Sequence, residues 1–253
     1  APSEDTTAAD DTSTEAAKTA ADAGGTLIVG FDQDFPPMGF IGNDGEFTGF
    51  DLELAQEVAK RLGLEYKPQP IAWDAKDMEL EAGNIDCIWN GFTMTGREDD
   101  YAWTEAYMAN TQVFVVAKDS GIASQADLAG KVVECQVDSS AEAALKEVPD
   151  LTATFKELLT TADYNTAFMD LEQGAVDAIA MDVIVAGYQI QQRNADFVIL
   201  EDTLSAEEYG VGFKKGNTEL RDKVQATLEE MAADGTLKSI SEKWFGEDVT
   251  TIG

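Results

Sequence analysis

Three groups that could do chemistry stand where apolar runs end. Arg97 follows the run 85–89, after the small and hydroxylic stretch Asn90-Gly91-Phe92-Thr93-Met94-Thr95-Gly96. A guanidinium is a planar fork that grips a carboxylate through two parallel hydrogen bonds. Arg97 is therefore either a carboxylate clamp or a surface ion-pair partner of Glu98, Asp99 or Asp100. Ser139 opens an S-x-x-E sequence that closes at Glu142, the pattern of a capping box; the free amides of a helix start also hold an anion. Asp182 ends the run 178–181, where it can hold an ammonium group or simply cap the next helix. Taken together, one arginine, one hydroxylic helix start and one aspartate fit the carboxylate and ammonium of a free α-amino acid.

Strands must bring these groups together. Residues 26–30 read as a buried strand. Gly49-Phe50-Asp51 leads into a helix whose apolar positions Leu54, Ala55, Val58, Ala59 and Leu62 repeat at helical spacing. Asp51 is expected to cap that helix, and Gly63 to supply the left-handed residue past its end. A strand near 64–69, a helix over 75–82 and a strand over 85–89 follow. The alternation then restarts with a strand over 131–136 and a helix over 139–146. Later come a helix over 164–172, a strand over 178–181 and a helix after Asp182. Alternation of this kind predicts an α/β protein with mostly parallel sheet, in two lobes with a ligand between them. Ligands in such sheets sit beyond the carboxyl ends of strands, where Asn90, Arg97 and Asp182 fall. Leu220, Val224, Leu228 and Met231 predict a further helix, with Thr218 as cap and Gly235 as stop. A shorter helix runs through Leu237, Ile240 and Trp244.

Composition removes several alternatives. The 253 residues hold 49 acids, 17 bases and no histidine, a formal net charge of −32. Without histidine there is no Ser-His-Asp triad, no Cys-His pair and no imidazole metal ligand. The negative charge opposes binding to nucleic acid or to an anionic membrane surface. The apolar runs, such as 113–117, fall far short of the ~20 residues of a membrane helix. Cys87 and Cys135 each lie in an apolar run and are either buried thiols or partners in a bridge. Residues 1–24 are largely Ala, Thr, Ser and acids, with no aromatic, Leu, Ile or Val. Such a stretch is expected to be a disordered tether of a mature chain. A surface-anchored lipoprotein would carry a tether of this kind, with membrane contact only through a lipid anchor absent from this chain.

At this point the chain resembles a known family, the polar amino acid substrate-binding proteins of ABC importers (bacterial solute-binding protein family 3). The matching stretches are VGFDQDFPPM at 29–38, GFDLELA at 49–55, IDCIWNGFTMT at 85–95, GAVDAIAMD at 174–182 and YGVGFKK at 209–215. The resemblance runs from Gly25 to about Gly246. It implies the two-lobed periplasmic-binding-protein type II fold with two hinge crossings, near 115–118 and 205–210. Lobe 1 is then 25–116 with 207–253, and lobe 2 is 117–206. The resemblance also implies residue roles. Arg97 clamps the ligand carboxylate, with Thr93, Ser140 and Ser139 completing that end. Asp182 pairs with the α-ammonium, assisted by a backbone carbonyl at Asn90 or Gly91. Trp73 and Phe35 are the aromatic walls, and Asp32 meets the polar end of the side chain.

Two departures stand out. Only Gly96 separates Thr95 from Arg97, one residue fewer than the family usually has. Asp138 occupies a place where the family often has glycine. No lysine falls among the expected wall residues while Asp32 and Asp34 stand nearby, so a neutral polar, cystine-like or basic ligand is expected. No cofactor or metal is expected. The expected partners are a small L-amino acid and an ABC permease, and the expected state is an extracytoplasmic monomer. Two other readings share the fold: an enzyme resembling cyclohexadienyl dehydratases, and a sensor input domain.

Overall fold

The computed structural model describes residues 25–253; the tether expected over 1–24 lies outside them. Strand β1 (Thr26–Phe31) buries Leu27, Val29 and Phe31 completely. A small antiparallel sheet follows, of β2 (Asp34–Phe35), β3 (Gly39–Ile41) and β4 (Phe47–Thr48). Helix α1 (Phe50–Leu62) buries Leu54, Ala55, Val58 and Ala59, the positions set by helical spacing, and stops at Gly63, whose φ is 70°. Its N-cap is Gly49, not Asp51. Asp51 turns inward instead, to accept from the Gly91 amide and the Tyr107 hydroxyl. Those buried donors would otherwise lack a partner, a larger cost than an uncapped helix start.

Strand β5 (Glu65–Pro70) precedes a single 3-10 turn, Trp73–Ala75, and helix α2 (Lys76–Glu81). Strand β6 (Cys87–Ile88) is shorter than the expected 85–89, and β7 (Tyr101–Trp103) follows. The chain then runs through β8 (Met108–Ala117), β9 (Val132–Gln136), α3 (Ser140–Lys146), a short α4 (Pro149–Thr152), β10 (Glu157–Thr161), α5 (Tyr164–Glu172), β11 (Ala178–Asp182), α6 (Val183–Arg193) and β12 (Phe197–Ile199). It returns through β13 (Ser205–Tyr209) and β14 (Gly212–Lys214) and ends in α7 (Thr218–Ala233) and α8 (Thr236–Phe245). Asn217, not Thr218, is the N-cap of α7, and Gly235 lies at the junction of α7 and α8 with a φ of 85°.

Two larger sheets result. One has the order β5-β1-β6-β14-β7; the other has β10-β9-β11-β8-β12, with β13 also paired to β8. Both are mixed rather than mostly parallel. In the first, β14 runs antiparallel to β6 and β7. In the second, β8 runs antiparallel to β11, β12 and β13. The antiparallel strands are those on which the chain passes between the sheets, so they enter opposite to the βαβ strands. Strand β8 is continuous from Met108 to Ala117 and pairs within the second sheet along that length, with β13 over 108–112 and with β11 over 112–116. The expected boundary at 116/117 therefore falls inside a strand.

The largest apolar cluster joins the two sheets: Leu27, Val29 and Val58 belong to it, and so do Val113, Phe168 and Ile179. Cys87 and Cys135 are both buried and free, so no bridge joins them. Among the described residues no helix is long and apolar enough to cross a membrane, and no cluster of His, Cys, Asp and Glu could hold a metal ion.

Candidate functional site

A small void of about 10 Å³ lies between the sheets, lined by Phe35, Trp73, Asn90, Gly91, Gln136, Ser139, Ser140, Tyr164 and Asp182. Seven of the ten residues singled out from the sequence line it. The other three stand behind the lining, Arg97 and Asp32 one bond away and Thr93 two. Arg97 donates to the Ser140 hydroxyl at 3.0 Å, Asp32 accepts from Gln136 at 2.8 Å, and Thr93 offers its carbonyl to Arg97 at 3.2 Å.

Arg97 crosses the cleft. It donates to the Thr93 carbonyl on its own side and to Ser140 and the Asp138 carbonyl (3.3 Å) on the other, and it lies over the Phe92 ring at 5.1 Å. No acid among Glu98, Asp99 and Asp100 takes it, so the surface ion-pair reading gives way. The shortened approach through Gly96 is a tight turn: φ of Gly96 is 84°, and the Arg97 amide bonds back to the Met94 carbonyl. Ser139 does cap α3, accepting from the Glu142 amide at 3.1 Å. The Glu142 carboxylate takes the Asp138 amide instead of returning to Ser139, so the capping box is half formed.

Asp182 sits at the N-cap of α6 but makes no capping bond. Its oxygens accept from the Gln112 amide at 2.7 Å and from the Tyr209 hydroxyl. It is 5% exposed. Burial, then the negative charge of Glu207, push its pKa up to about 7; the bonds from Tyr209 and Gln112 and the charge of Arg97 pull the other way. A carboxylate so placed is short of positive charge. Next to it, the Gly91 amide is held by Asp51, and Gly91 adopts a φ of 52°. A Cβ at Gly91 would lie 3.1 Å from the Phe35 ring, so only glycine lets the backbone approach this wall.

The walls are aromatic. Trp73 stands edge-on to Phe92, with ring centres 5.4 Å apart, and Phe35 packs 6.2 Å from Tyr164. Asp32 lies behind Gln136, with burial raising its pKa to about 6 against the bonds from the Asp34 amide and Gln136. Beyond Trp73 a second hollow is lined by Asp32, Asp34, Asp74 and Asp163 and by no lysine or arginine.

Sequence reasoning missed five residues here. Tyr164 donates to the Ala180 carbonyl at 2.9 Å and forms part of the wall. Gln136 bridges Asp32 and the Ala162 carbonyl. Gln112 links Asp182 to Glu207, and Glu207 also accepts the Thr93 hydroxyl at 2.8 Å. Lys76 stands behind Trp73, outside the lining of the void: its ammonium lies 4.8 Å from the centre of the Trp73 ring and pairs with Asp138. Only the strand-end position of Gln136 carried a signal; the others depend on contacts between distant segments.

The two α/β lobes, with Arg97 and Asp182 on opposite sides of the void between them, fit a protein that holds a small solute. The chain belongs to the bacterial extracellular solute-binding proteins, family 3, whose family model matches residues 27–247. It is 35% identical to the L-cystine-binding protein TcyJ of Escherichia coli K12, over 89% of this chain and 85% of that one. It superposes on an ABC uptake transporter substrate-binding protein from Streptococcus pneumoniae with bound histidine. That match has a TM-score of 0.87 and 36% identity, over 90% and 95% of the two chains. An ancestral arginine-binding protein bound to arginine matches with a TM-score of 0.81 and 39% identity, over 87% and 98%.

Proposed function

We propose that the void between the lobes receives a free L-α-amino acid with a neutral polar or basic side chain, and that the protein delivers it to the permease of an ABC importer outside the cytoplasm. The observation that carries this reading is Arg97 and Asp182 held at one small void. Each is provided with hydrogen-bonding neighbours but, among the described residues, with no ion-pair partner of its own. In this reading Arg97 takes the carboxylate with Ser139, Ser140 and Thr93. Asp182 takes the ammonium with the backbone at Asn90 and Gly91. Trp73 and Phe35 flank the side chain, and Asp32 meets its far end.

The acids beyond Trp73 favour a neutral or positive side chain over an acidic one. Lys76 does not reverse that preference, because Asp138 already balances it. The matched proteins named for cystine and arginine, and the one with bound histidine, fall in the same range. No covalent chemistry is part of this reading; capture is by closure. The first lobe comprises the β1 sheet with α7 and α8, the second the β8–β12 sheet, and the antiparallel β8–β13 ribbon is the hinge. An amino acid touching both lobes shifts the balance toward the closed state.

The test is thermal unfolding against the twenty L-amino acids, cystine and ornithine, on protein first unfolded and refolded to shed any carried ligand. One or a few polar amino acids at a hundred times their dissociation constant are expected to add about 2.7 kcal/mol, a rise of several degrees. No rise with any of them overturns the reading.

A further inference from the structure

Lys76 and Asp138 have no place in the amino-acid site as drawn above, and both are unusual. Lys76 is 1% exposed, rare for an ammonium group. Two of its three hydrogen bonds go to Asp138, one to the carboxylate and one to the carbonyl at 3.5 Å; the third goes to the Trp73 carbonyl at 3.4 Å. Burial pulls its pKa below the usual lysine range, while the Asp138 charge works against that. Asp138 holds a φ of 57°, a left-handed backbone that favours glycine. Its carbonyl also accepts from Arg97. Lys76 lies on α2, beside the first sheet; Asp138 lies between β9 and α3, beside the second. A strained backbone that persists at a cleft points to a job done there.

We propose that Lys76 and Asp138 form a closing contact, an ion pair completed only when the lobes meet, which prolongs the stay of the ligand. Closure takes the Lys76 ammonium out of water, and Asp138 supplies the opposite charge at that moment. The two residues are therefore not equivalent. Without Asp138 the closed state buries an unpaired cation; without Lys76 it leaves only a carboxylate still half in water, since the Asp138 side chain is 54% exposed. Removing one partner of a buried pair costs more than removing both.

The proposal rests on the receptor reading for its ligand, and the test separates the two. Release of L-arginine and L-cystine is timed by stopped-flow tryptophan fluorescence in wild type, Asp138→Asn, Asp138→Gly, Lys76→Met and the double variant Lys76→Met/Asp138→Asn. Asp138→Asn is expected to release ligand about tenfold faster or more, Lys76→Met less, and the double variant no faster than Lys76→Met alone. Asp138→Gly relaxes the backbone, so it should melt no lower than wild type and still release faster, which a merely structural role would not produce. In parallel, dyes on Met78→Cys and Glu147→Cys report lobe closure without ligand; Cys87 and Cys135 are buried and stay unlabelled. Asp138→Asn is expected to lower the closed population and Lys76→Met to restore it. Wild-type release and closure in Asp138→Asn, or single effects that multiply in the double variant, overturn the proposal. If wild type holds neither amino acid, the receptor reading is decided by the thermal survey of all the amino acids, while the closure measurement still decides the ion pair.

Discussion

Asp182 is held near half protonation at neutral pH by its burial and by Glu207. An arriving ammonium favours the carboxylate, so binding must expel the remaining proton. Affinity for an amino acid is therefore expected to fall as pH drops below about 7, by up to tenfold per unit. Titration calorimetry at pH 5, 7 and 8.5 checks this, and a flat profile would count against Asp182 as the ammonium partner. Arg97 and Asp182 become desolvated partners once the cleft closes on its ligand. Removing either leaves a ligand charge unpaired, at a cost of roughly 2–5 kcal/mol. Arg97→Ala and Asp182→Ala are thus expected to bind about 30- to several-thousand-fold more weakly. Circular dichroism should show an unchanged fold, and near-normal affinity in either variant would refute its role.

At the scale of elements, β9 carries an acid that opposes its own surroundings. Glu134 is 3% exposed within the second sheet. Burial, together with Asp170 beside it, raises its pKa from 4.5 to about 8. Raising the folded pKa of an acid stabilises the fold fully below the unfolded value, and that stability is lost as pH rises through the folded value. The window here runs from about 4.5 to about 8. Glu134→Gln keeps the shape and removes the titration. Urea unfolding at pH 5, 7 and 9 is expected to show the variant losing less stability over that range than wild type, and parallel losses would contradict the argument. The same tension between local and distant demands governs α1. Asp51 has the residue type of a cap, yet Gly91 and Tyr107 claim its carboxylate.

The whole molecule acts through charge and closure. Its formal charge of −32 creates a field that draws cations and repels anions. The association rate of arginine is expected to fall as salt shortens the Debye length from about 30 Å at 0.01 M to about 3 Å at 1 M. That of glutamine, which has no net charge, should change little; stopped-flow fluorescence compares them, and equal salt slopes would dismiss steering. Cross-cleft bonds other than those of Arg97 and Lys76 also hold the lobes together. Gln136 donates to Asp32, and Asn165 donates to Asp34 at 2.9 Å. Asn165 in turn accepts from Gln189, which accepts from Arg193. The two lobes thus share protein contacts of their own across the cleft.

The α/β alternation, the helical face of α1, the left-handed stop at Gly63 and the strand-end places of Asn90 and Asp182 were legible in the order of residues, because each follows from a local period or a chain-end rule; Arg97 lies beyond β6, in the turn that precedes β7. Seven of the ten chosen residues meet at one void for the same reason: strand ends converge in an α/β sheet. Other features were decided by contacts between segments far apart in the chain. Asp51 abandons its helix for Gly91 and Tyr107, Gln112 bridges two acids, β13 pairs with β8 across the chain, and Asp138 turns out to face Lys76. A buried polar group takes whatever partner the folded chain places within reach, and sequence spacing does not state who that neighbour is.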